Sequence, residues 1–213
     1  MLLRALYQGI VYAMDLYRGW RLIHRLPTHK ISLFGSSNSK EDDHWSIVAR
    51  TIAMSCASRS IGVITGGGPG VMIAANCGAQ EGASPDRLSS IGIGVKGVDE
   101  AFINRCAPVV NVSTFCVRKH LLLAYSQAFI FMPGGIGTLD ELFELANLRK
   151  HHLLHPAPII LVGRSYWAPL LAWYTSAIEH DYVSRSYAHL FHVVDTSQEV
   201  MELIASGLKH QGI

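Results

Sequence analysis

The sequence predicts an α/β fold: a doubly wound parallel sheet with helices on both faces, preceded by one extra N-terminal helix. After Pro27, short β-rich runs alternate with longer amphipathic stretches, which is typical of a parallel sheet. The run at 128–132 is apolar and uncharged throughout, as in a strand buried on both faces. We interpret residues 28–213 as one Rossmann-like domain, because no linker rich in Pro, Gly or Ser divides them.

The spacing of apolar residues within 1–27 predicts an amphipathic helix outside this domain. Apolar residues recur at helical spacing from Leu2 to Ile23. The stretch has no cleavage site of small residues, and Asp15 and Arg18 interrupt its apolar part, so it resembles neither a signal peptide nor a spanning helix. We expect it to pack on the domain or on a partner subunit. Contact of a basic helix with a membrane surface is the alternative.

Seven strands and six further helices are predicted after this segment. The strands are expected at 30–35, 61–65, 89–95, 108–112, 128–132, 157–162 and 190–194. The helices are expected at 40–59, 70–82, 114–127, 138–152, 166–181 and 197–209. In doubly wound sheets, ligands bind beyond the carboxyl ends of the strands where the strand order reverses. The loops that follow strands are therefore where we expect a site.

Three loops at predicted strand ends consist largely of small residues. They are 35–39, 66–70 and 133–138. Glycine lets the backbone approach a ligand closely, and the first N–H groups of a following helix point at an anion. The lysine of a P-loop is missing, and none of the three is a clear G-x-G-x-x-G fingerprint. One such loop could simply be a tight turn, but three in one sheet predict a shared, phosphate-bearing ligand.

Charged residues next to these loops are the candidates for chemistry. Thr138 and Glu141 have the spacing of a capping box, in which Thr138 caps the helix and Glu141 returns the hydrogen bond. The alternative is that the Glu141 carboxylate reaches the sugar of a nucleotide whose phosphate lies one turn away. Arg118 and Lys119 follow Thr114, the expected cap of their helix, where cations oppose the helix dipole unless an acidic partner or ligand is near. A solvated basic pair is the alternative there.

Composition excludes several classes of partner. The net charge of +2 is too small to argue for nucleic acid, and no basic run is interleaved with aromatic residues. The uncharged run 121–139 contains Pro133-Gly134-Gly135, which excludes a membrane helix. Only 16% of residues are charged and 49% are hydrophobic, so we expect part of the surface to be buried in a homodimer or larger homo-oligomer.

Cysteine and histidine spacing gives no metal or disulfide signal. The four cysteines show no C-x-x-C motif, so we expect neither a zinc knuckle nor a disulfide framework, and we infer a reduced, cytoplasmic setting. His151 and His155 are four residues apart, but no carboxylate lies between them and Pro156 ends the helix. We therefore favour a polar patch at the helix terminus over a metal site.

The motifs in combination resemble the LOG family of cytokinin riboside monophosphate phosphoribohydrolases, whose members were long labelled lysine decarboxylases. The resemblance is carried by G-G-G-P-G-V-M at 66–72, A-A-N at 74–76, R-K at 118–119 and P-G-G-I-G-T-L-D-E at 133–141. It extends from about Ile31 to Ile204. The resemblance implies hydrolysis of the N-glycosidic bond of a nucleoside 5′-monophosphate to free base and ribose 5-phosphate, without an organic cofactor.

The same resemblance implies roles for individual residues. Arg118 and Glu141 are the implied catalytic pair. The implied substrate-binding residues are Gly35, Ser36, Gly67, Gly68, Gly70, Met72, Lys119, Pro133, Gly134, Gly135, Gly137 and Thr138. The sequence departs from the family at Ile73, where Glu is common, and at 146–152. We therefore keep a non-catalytic nucleotide or cofactor carrier, like the molybdenum cofactor carrier proteins, as the alternative. Lysine decarboxylation is disfavoured, because only Lys119 could serve as a pyridoxal phosphate lysine.

Overall fold

The computed structural model of the chain describes residues 1–98 and 102–210. Its centre is a seven-stranded sheet in which every pair of neighbouring strands is parallel. The strands are β1 (His29–Phe34), β2 (Ile61–Thr65), β3 (Ser90–Val95), β4 (Val109–Val112), β5 (Ala128–Phe131), β6 (Ile159–Val162) and β7 (Phe191–Val194). Their order in the sheet is β4-β3-β2-β1-β5-β6-β7. The predicted fold class is confirmed.

The helices also follow the predicted order. They are α1 (Leu2–Ile23), α2 (His44–Ser58), α3 (Val71–Gly82), α4 (Phe115–Leu123), α5 (Ile136–Lys150), α6 (Arg164–Glu179) and α7 (Ser197–His210). A short 3₁₀ turn at Arg185–Tyr187 was not predicted. The predicted helix 114–127 ends early, because Gln127 already donates its backbone N–H to the Lys30 carbonyl at 2.8 Å and so leads into β5.

The core lies on both faces of the sheet, as a doubly wound fold requires. Successive strand residues point to opposite faces, so the fully buried Val63 packs with one layer and Ile64 with the other. Buried residues of α2, α3 and α7 cover the first face. Buried residues of α4 and α5, together with Ile23 of α1 and Trp167 of α6, cover the second.

Helix α1 is anchored to the domain only by its C-terminal half. Asp15, Gly19 and Ile23 are its buried residues. The Asp15 carboxylate accepts a hydrogen bond from the Ser113 backbone N–H at 2.7 Å, and Gly19 allows Leu121 to approach the helix backbone closely. Residues 1–10 are exposed. No helix among residues 1–98 and 102–210 is long and apolar enough to cross a bilayer.

The cysteine prediction was wrong. Cys77 of α3 and Cys106 in the loop before β4 form a disulfide, while Cys56 and Cys116 are free. The two residues are 29 positions apart and form no motif. Tertiary structure brings them together because β3 pairs with β2, and the helix after β2 therefore lies beside the loop after β3.

The contact between α2 and α3 depends on glycine. A Cβ at Gly78 would overlap the backbone carbonyl oxygen of Arg50, whereas a Cβ at Gly9 in α1 has nothing within 4 Å. We expect Gly78→Ala to lower the free energy of unfolding by about 1–3 kcal/mol, because the two helices must move apart. Gly9→Ala, the matched control, should raise it by up to about 1 kcal/mol. Urea unfolding measures both, and an unaltered Gly78→Ala protein contradicts this account of the contact.

Candidate active site

The candidate site lies where the strand order reverses. β1 pairs with β2 on one side and with β5 on the other, so the chain leaves β1 and β5 in different directions and a crevice forms beyond their carboxyl ends. The loop after β1 and the loop after β5 are joined there, because the Ser36 backbone N–H donates to the Pro133 carbonyl at 3.1 Å.

The loop after β2 closes against the same point. The Val71 N–H donates to the Ser36 carbonyl at 3.0 Å, and the Gly67 N–H donates to the Thr65 hydroxyl at 3.0 Å. Gly70 has a φ of 69°, and a Cβ there would overlap the Ser36 carbonyl oxygen. Glycine is therefore needed at position 70 for both conformation and space.

Two helices begin in this crevice, and both have glycine at the N-cap. Gly70 precedes α3 and Gly135 precedes α5. A glycine has no side chain with which to satisfy the first N–H groups of a helix. At α5, Gly135, Ile136 and Gly137 are exposed, and a Cβ at either glycine would meet nothing within 4 Å. The start of α5 thus presents backbone N–H groups to open space, which suits an anion.

The capping-box prediction for α5 was wrong. The helix begins at Ile136, two residues before the expected start, because the glycine turn itself supplies the N-cap. Thr138 is consequently inside the first turn and buried. Its hydroxyl occupies the space in which a Gly134 side chain would lie, so Gly134 must be glycine. Glu141 lies in the second turn and makes no capping bond.

Glu141 is a buried carboxylate at the edge of the crevice formed by the three glycine loops. Its side chain is only 4% exposed, and its Oε2 atom has no hydrogen-bond partner among the described residues. Burial raises the pKa of Glu141 from 4.5 to about 7, although the positive charges of Arg118 and Lys119 partly oppose this. A carboxylate with such a pKa can exist in either protonation state near neutral pH.

Arg118 reaches the cavity from α4. Thr114 caps this helix as predicted, accepting from the Val117 N–H at 3.4 Å. The Arg118 Nε donates to the Ile93 carbonyl at 3.1 Å, and its guanidinium lies 5.8 Å from the centre of the Phe115 ring. A Cβ at Gly66 would lie 2.5 Å from the Arg118 guanidinium, so the glycine makes room for it.

Lys119 points away from the cavity. Its ammonium lies 2.8 Å from Asp140 Oδ1 and 3.6 Å from Glu144 Oε2. Burial pulls the pKa of Lys119 down, but the hydrogen bond and charge of Asp140 outweigh it and leave the pKa raised. Arg118 and Lys119 therefore have different contacts: Arg118 faces the cavity, and Lys119 links α4 to α5.

The cavity has a volume of about 680 Å³ and brings most of the predicted residues together. Its lining includes Gly35, Ser36, Gly67, Gly68, Met72, Arg118, Gly135, Gly137, Thr138 and Glu141. Four predicted residues do not line it: Gly70, Lys119, Pro133 and Gly134. Ile73 is buried and does not line the cavity, nor do residues 146–152. His155, a member of the predicted polar patch, also lies outside the cavity, with its Nε2 3.0 Å from the Ser126 carbonyl oxygen.

Sequence reasoning missed one wall of the cavity and one support behind it. Asn104, Asn111 and Phe115 line the cavity from the segments around β4. The Asn104 side-chain amide also donates to the Gly67 carbonyl at 3.2 Å. The glycine loop at 133–138 is supported by Tyr166, whose hydroxyl donates to the Gly134 carbonyl at 2.5 Å. No sequence motif identifies the residues of this wall. Only the predicted adjacency of the parallel strands could have indicated that these segments lie beside the cavity.

Fold and site together define a doubly wound α/β protein with a glycine-walled cavity at the switch point. A family model described as possible lysine decarboxylase matches residues 71–204, more than half of the chain. The chain belongs to this family, the LOG family whose motifs it carries.

Curated relatives match over part of their length. A probable cytokinin riboside 5′-monophosphate phosphoribohydrolase of Oryza sativa subsp. japonica is 34% identical over 95 residues, which are 44% of this chain and 38% of the relative. A cytokinin riboside 5′-monophosphate phosphoribohydrolase of Mycobacterium tuberculosis is 33% identical over 98 residues, 46% of this chain and 52% of the relative. These matches span about half or less of the two relatives.

Solved structures share the fold. The molybdenum cofactor carrier protein of Chlamydomonas reinhardtii superposes with a TM-score of 0.60 at 19% identity, covering 85% of this chain and 99% of that one. The molybdenum cofactor binding protein of Rippkaea orientalis gives 0.59 at 20% identity, covering 85% and 96%. At these identities the likeness concerns architecture alone.

The unpaired Glu141 should destabilise the folded chain once it ionises. Its pKa is about 7 in the folded chain and near 4.5 in the unfolded chain, so the unfolded chain releases this proton first and the free energy of unfolding falls progressively between pH 4.5 and 7. We expect Glu141→Gln to raise the free energy of unfolding by about 2–3 kcal/mol at pH 8 and to change it little at pH 4. Denaturant unfolding at both pH values measures this.

Glu144→Gln provides the control on the same helix. The Glu144 side chain is 41% exposed and lies 3.6 Å from Lys119, so its substitution should lower stability by less than about 1 kcal/mol at pH 8. Equal stability of Glu141→Gln and the unmodified chain at pH 8 would contradict a buried, unpaired carboxylate.

Proposed function

We propose that this protein hydrolyses the N-glycosidic bond of a nucleoside 5′-monophosphate of the AMP or cytokinin riboside monophosphate type. The observation that carries the proposal is Glu141, a buried carboxylate whose Oε2 has no hydrogen-bond partner among residues 1–98 and 102–210 and which shares a cavity with the glycine-led start of α5. The activity for which the curated relatives are named, cytokinin riboside 5′-monophosphate phosphoribohydrolase, supports the same substrate class.

The phosphate binds, in this proposal, at the N-terminus of α5. The exposed N–H groups near Gly135 and Gly137 donate to its oxygens, and the N-terminus of α3 adds a second partial positive charge. Binding energy from the phosphate, which does not react, positions the ribose near Glu141. The base then lies toward the wall formed around β4.

Glu141 and Arg118 act at the reacting bond. Water adds at C1′ as the C1′–N bond breaks, and the base leaves with the bonding electrons and takes up a proton. Positive charge builds on the ribose ring, and ionised Glu141 stabilises that charge or orients the water. The planar fork of Arg118 provides directed donors for the substrate. No organic cofactor takes part.

Lysine decarboxylation does not suit the same geometry. A lysine that forms a Schiff base must present a neutral amine. Lys119 is held in ion pairs with Asp140 and Glu144, and its pKa is raised. It also points away from the cavity. We therefore set that activity aside despite the description of the family model.

We further propose that the chain works as a homodimer or larger homo-oligomer; the cytoplasmic setting expected from the cysteines loses that support, because Cys77 and Cys106 form a disulfide. The low share of charged residues, 16%, supports buried surface between subunits. Sedimentation velocity of the purified protein measures the assembly, and a monomer at micromolar concentration contradicts it.

Turnover is the direct measurement. Purified protein incubated with AMP and with other nucleoside monophosphates should release free base and ribose 5-phosphate. We expect Glu141→Gln to lower kcat/KM by about 100-fold or more, while Glu144→Gln stays near the unmodified value. In the unmodified protein kcat/KM should rise with pH through about 7 as Glu141 ionises. Release undiminished in Glu141→Gln contradicts the assigned role.

The carrier alternative has its own signature. Nucleotide or molybdenum cofactor that copurifies and remains bound, with no base released over hours, identifies a binding protein instead. Ile73, where the family commonly has Glu, is buried and does not line the cavity, so this departure does not itself distinguish the two functions.

The phosphate cradle can be tested separately from catalysis. Gly135 has a φ of −88° and open space around a Cβ, so Gly135→Ala should fold with unchanged stability. Its methyl group would, however, stand in front of the N–H groups of α5. We expect its affinity for ribose 5-phosphate to fall by about tenfold or more, as for a lost pair of charge-assisted hydrogen bonds. Calorimetric titration measures this, with Gly9→Ala as control, and unchanged affinity places the phosphate elsewhere.

A further inference from the structure

We propose that α1 binds the protein to an anionic lipid surface, lying in the plane of the bilayer interface. Neither the family motifs nor the cavity uses this helix. Its outward side is apolar, the reverse of an ordinary surface helix. The exposed residues on that side include Leu3, Leu6, Tyr7, Ile10, Met14, Tyr17 and Trp20.

The geometry of the helix separates the two sides. At 3.6 residues per turn, Leu6, Ile10 and Tyr17 fall on one line along the helix. That line is opposite to Asp15 and Gly19, which are buried against the domain. Leu6, Ile10 and Tyr17 are 56%, 60% and 57% exposed. An apolar stripe of this length facing solvent indicates a surface that something covers.

The charged residues of α1 and its flanks indicate what kind of surface covers the apolar stripe. Residues 1–26 contain one carboxylate, Asp15, which is buried, accepts from the Ser113 N–H and lies 3.8 Å from the Arg18 guanidinium; Arg4, Arg21 and Arg25 have no carboxylate partner among the described residues. All four arginines of this segment are exposed: Arg4, Arg18, Arg21 and Arg25. A second copy of the helix would bring these like charges together, whereas anionic lipid head groups complement them. Charge complementarity therefore favours a membrane over a partner helix.

Side-chain type and position agree with an interfacial helix. Tyrosine and tryptophan prefer the boundary between head groups and acyl chains, and the exposed side of α1 carries Tyr7, Tyr17 and Trp20 among aliphatic residues. Residues 1–10 are exposed around the whole helix, so this half can enter the interface without disturbing the anchor at Asp15, Gly19 and Ile23. The helix lies on the bilayer and does not cross it.

Co-sedimentation of the full chain with lipid vesicles tests the proposal. We expect binding to vesicles of phosphatidylcholine and phosphatidylglycerol in equal parts, little binding to phosphatidylcholine alone, and weaker binding as salt is added. The double variant Leu6→Asp with Ile10→Asp should lose binding. Arg4→Gln with Arg21→Gln, two exposed arginines without a carboxylate partner among the described residues, should reduce the partition coefficient by about 25-fold, roughly fivefold for each arginine.

A matched control carries the same added charge elsewhere. Leu153→Asp with Tyr182→Asp alters two apolar residues that are 72% and 81% exposed outside α1, and it should bind vesicles like the unmodified chain. Circular dichroism and the unfolding midpoint establish that each variant is folded. Nucleotide hydrolysis without vesicles should be the same for Leu6→Asp/Ile10→Asp and the unmodified chain, so the outcome is independent of the proposed activity.

Three results overturn the proposal. One is no binding of the unmodified chain to anionic vesicles at low salt. Another is undiminished binding by the Leu6→Asp/Ile10→Asp variant. The third is an oligomer that this variant dissociates, without vesicle binding by either protein, which assigns the apolar stripe to a second copy of the chain.

Discussion

The arrangement of the whole site depends on the parallel pairing of β1 with both β2 and β5. Because the strand order reverses at β1, the loops after β1 and β5 open a crevice, and the helices α3 and α5 both begin at its edge. The bonds from Ser36 to Pro133 and from Val71 to Ser36 then fix three loops to one another. A cavity with aligned backbone donors follows from strand order and close glycine packing, before any side chain is considered.

Glu141 shows how such a scaffold holds an unfavourable group. Its carboxylate is buried by the packing of α5, and Arg118 and Lys119 only partly offset the loss of solvation. A protein with a net stability of about 5–15 kcal/mol can tolerate one such group, but a penalty of a few kcal/mol is a large fraction of that net value. The same lack of partners leaves the carboxylate free to act on a ligand. Instability and proposed reactivity thus have one origin.

The proposed phosphate site and the proposed reacting site are held in place by different kinds of contact. Backbone groups of the glycine loops form the proposed anion cradle, and their positions are fixed by contacts with Ser36, Thr138 and Tyr166. The reacting site relies on side chains from α4 and α5, which the Lys119 ion pairs join. Helix α1 packs on α4 through Gly19 and Leu121 but contributes no residue to the cavity lining, so attachment to a surface through its exposed face would leave that lining unchanged.

The parallel α/β fold can be predicted from the sequence alone, because alternation of short apolar runs with amphipathic stretches is a local property of the chain. The sequence also located Arg118, Glu141 and the three glycine loops, which lie in recognisable motifs. Tertiary structure decided what depends on contacts between distant segments. The disulfide of Cys77 with Cys106, the pairing of Lys119 with Asp140, and the wall around Asn104 arise only when β3 and α4 take their places. The start of α5 was misjudged for a related reason: a threonine-to-glutamate spacing looks like a cap in one dimension, while packing of Thr138 against Gly134 turns both residues inward.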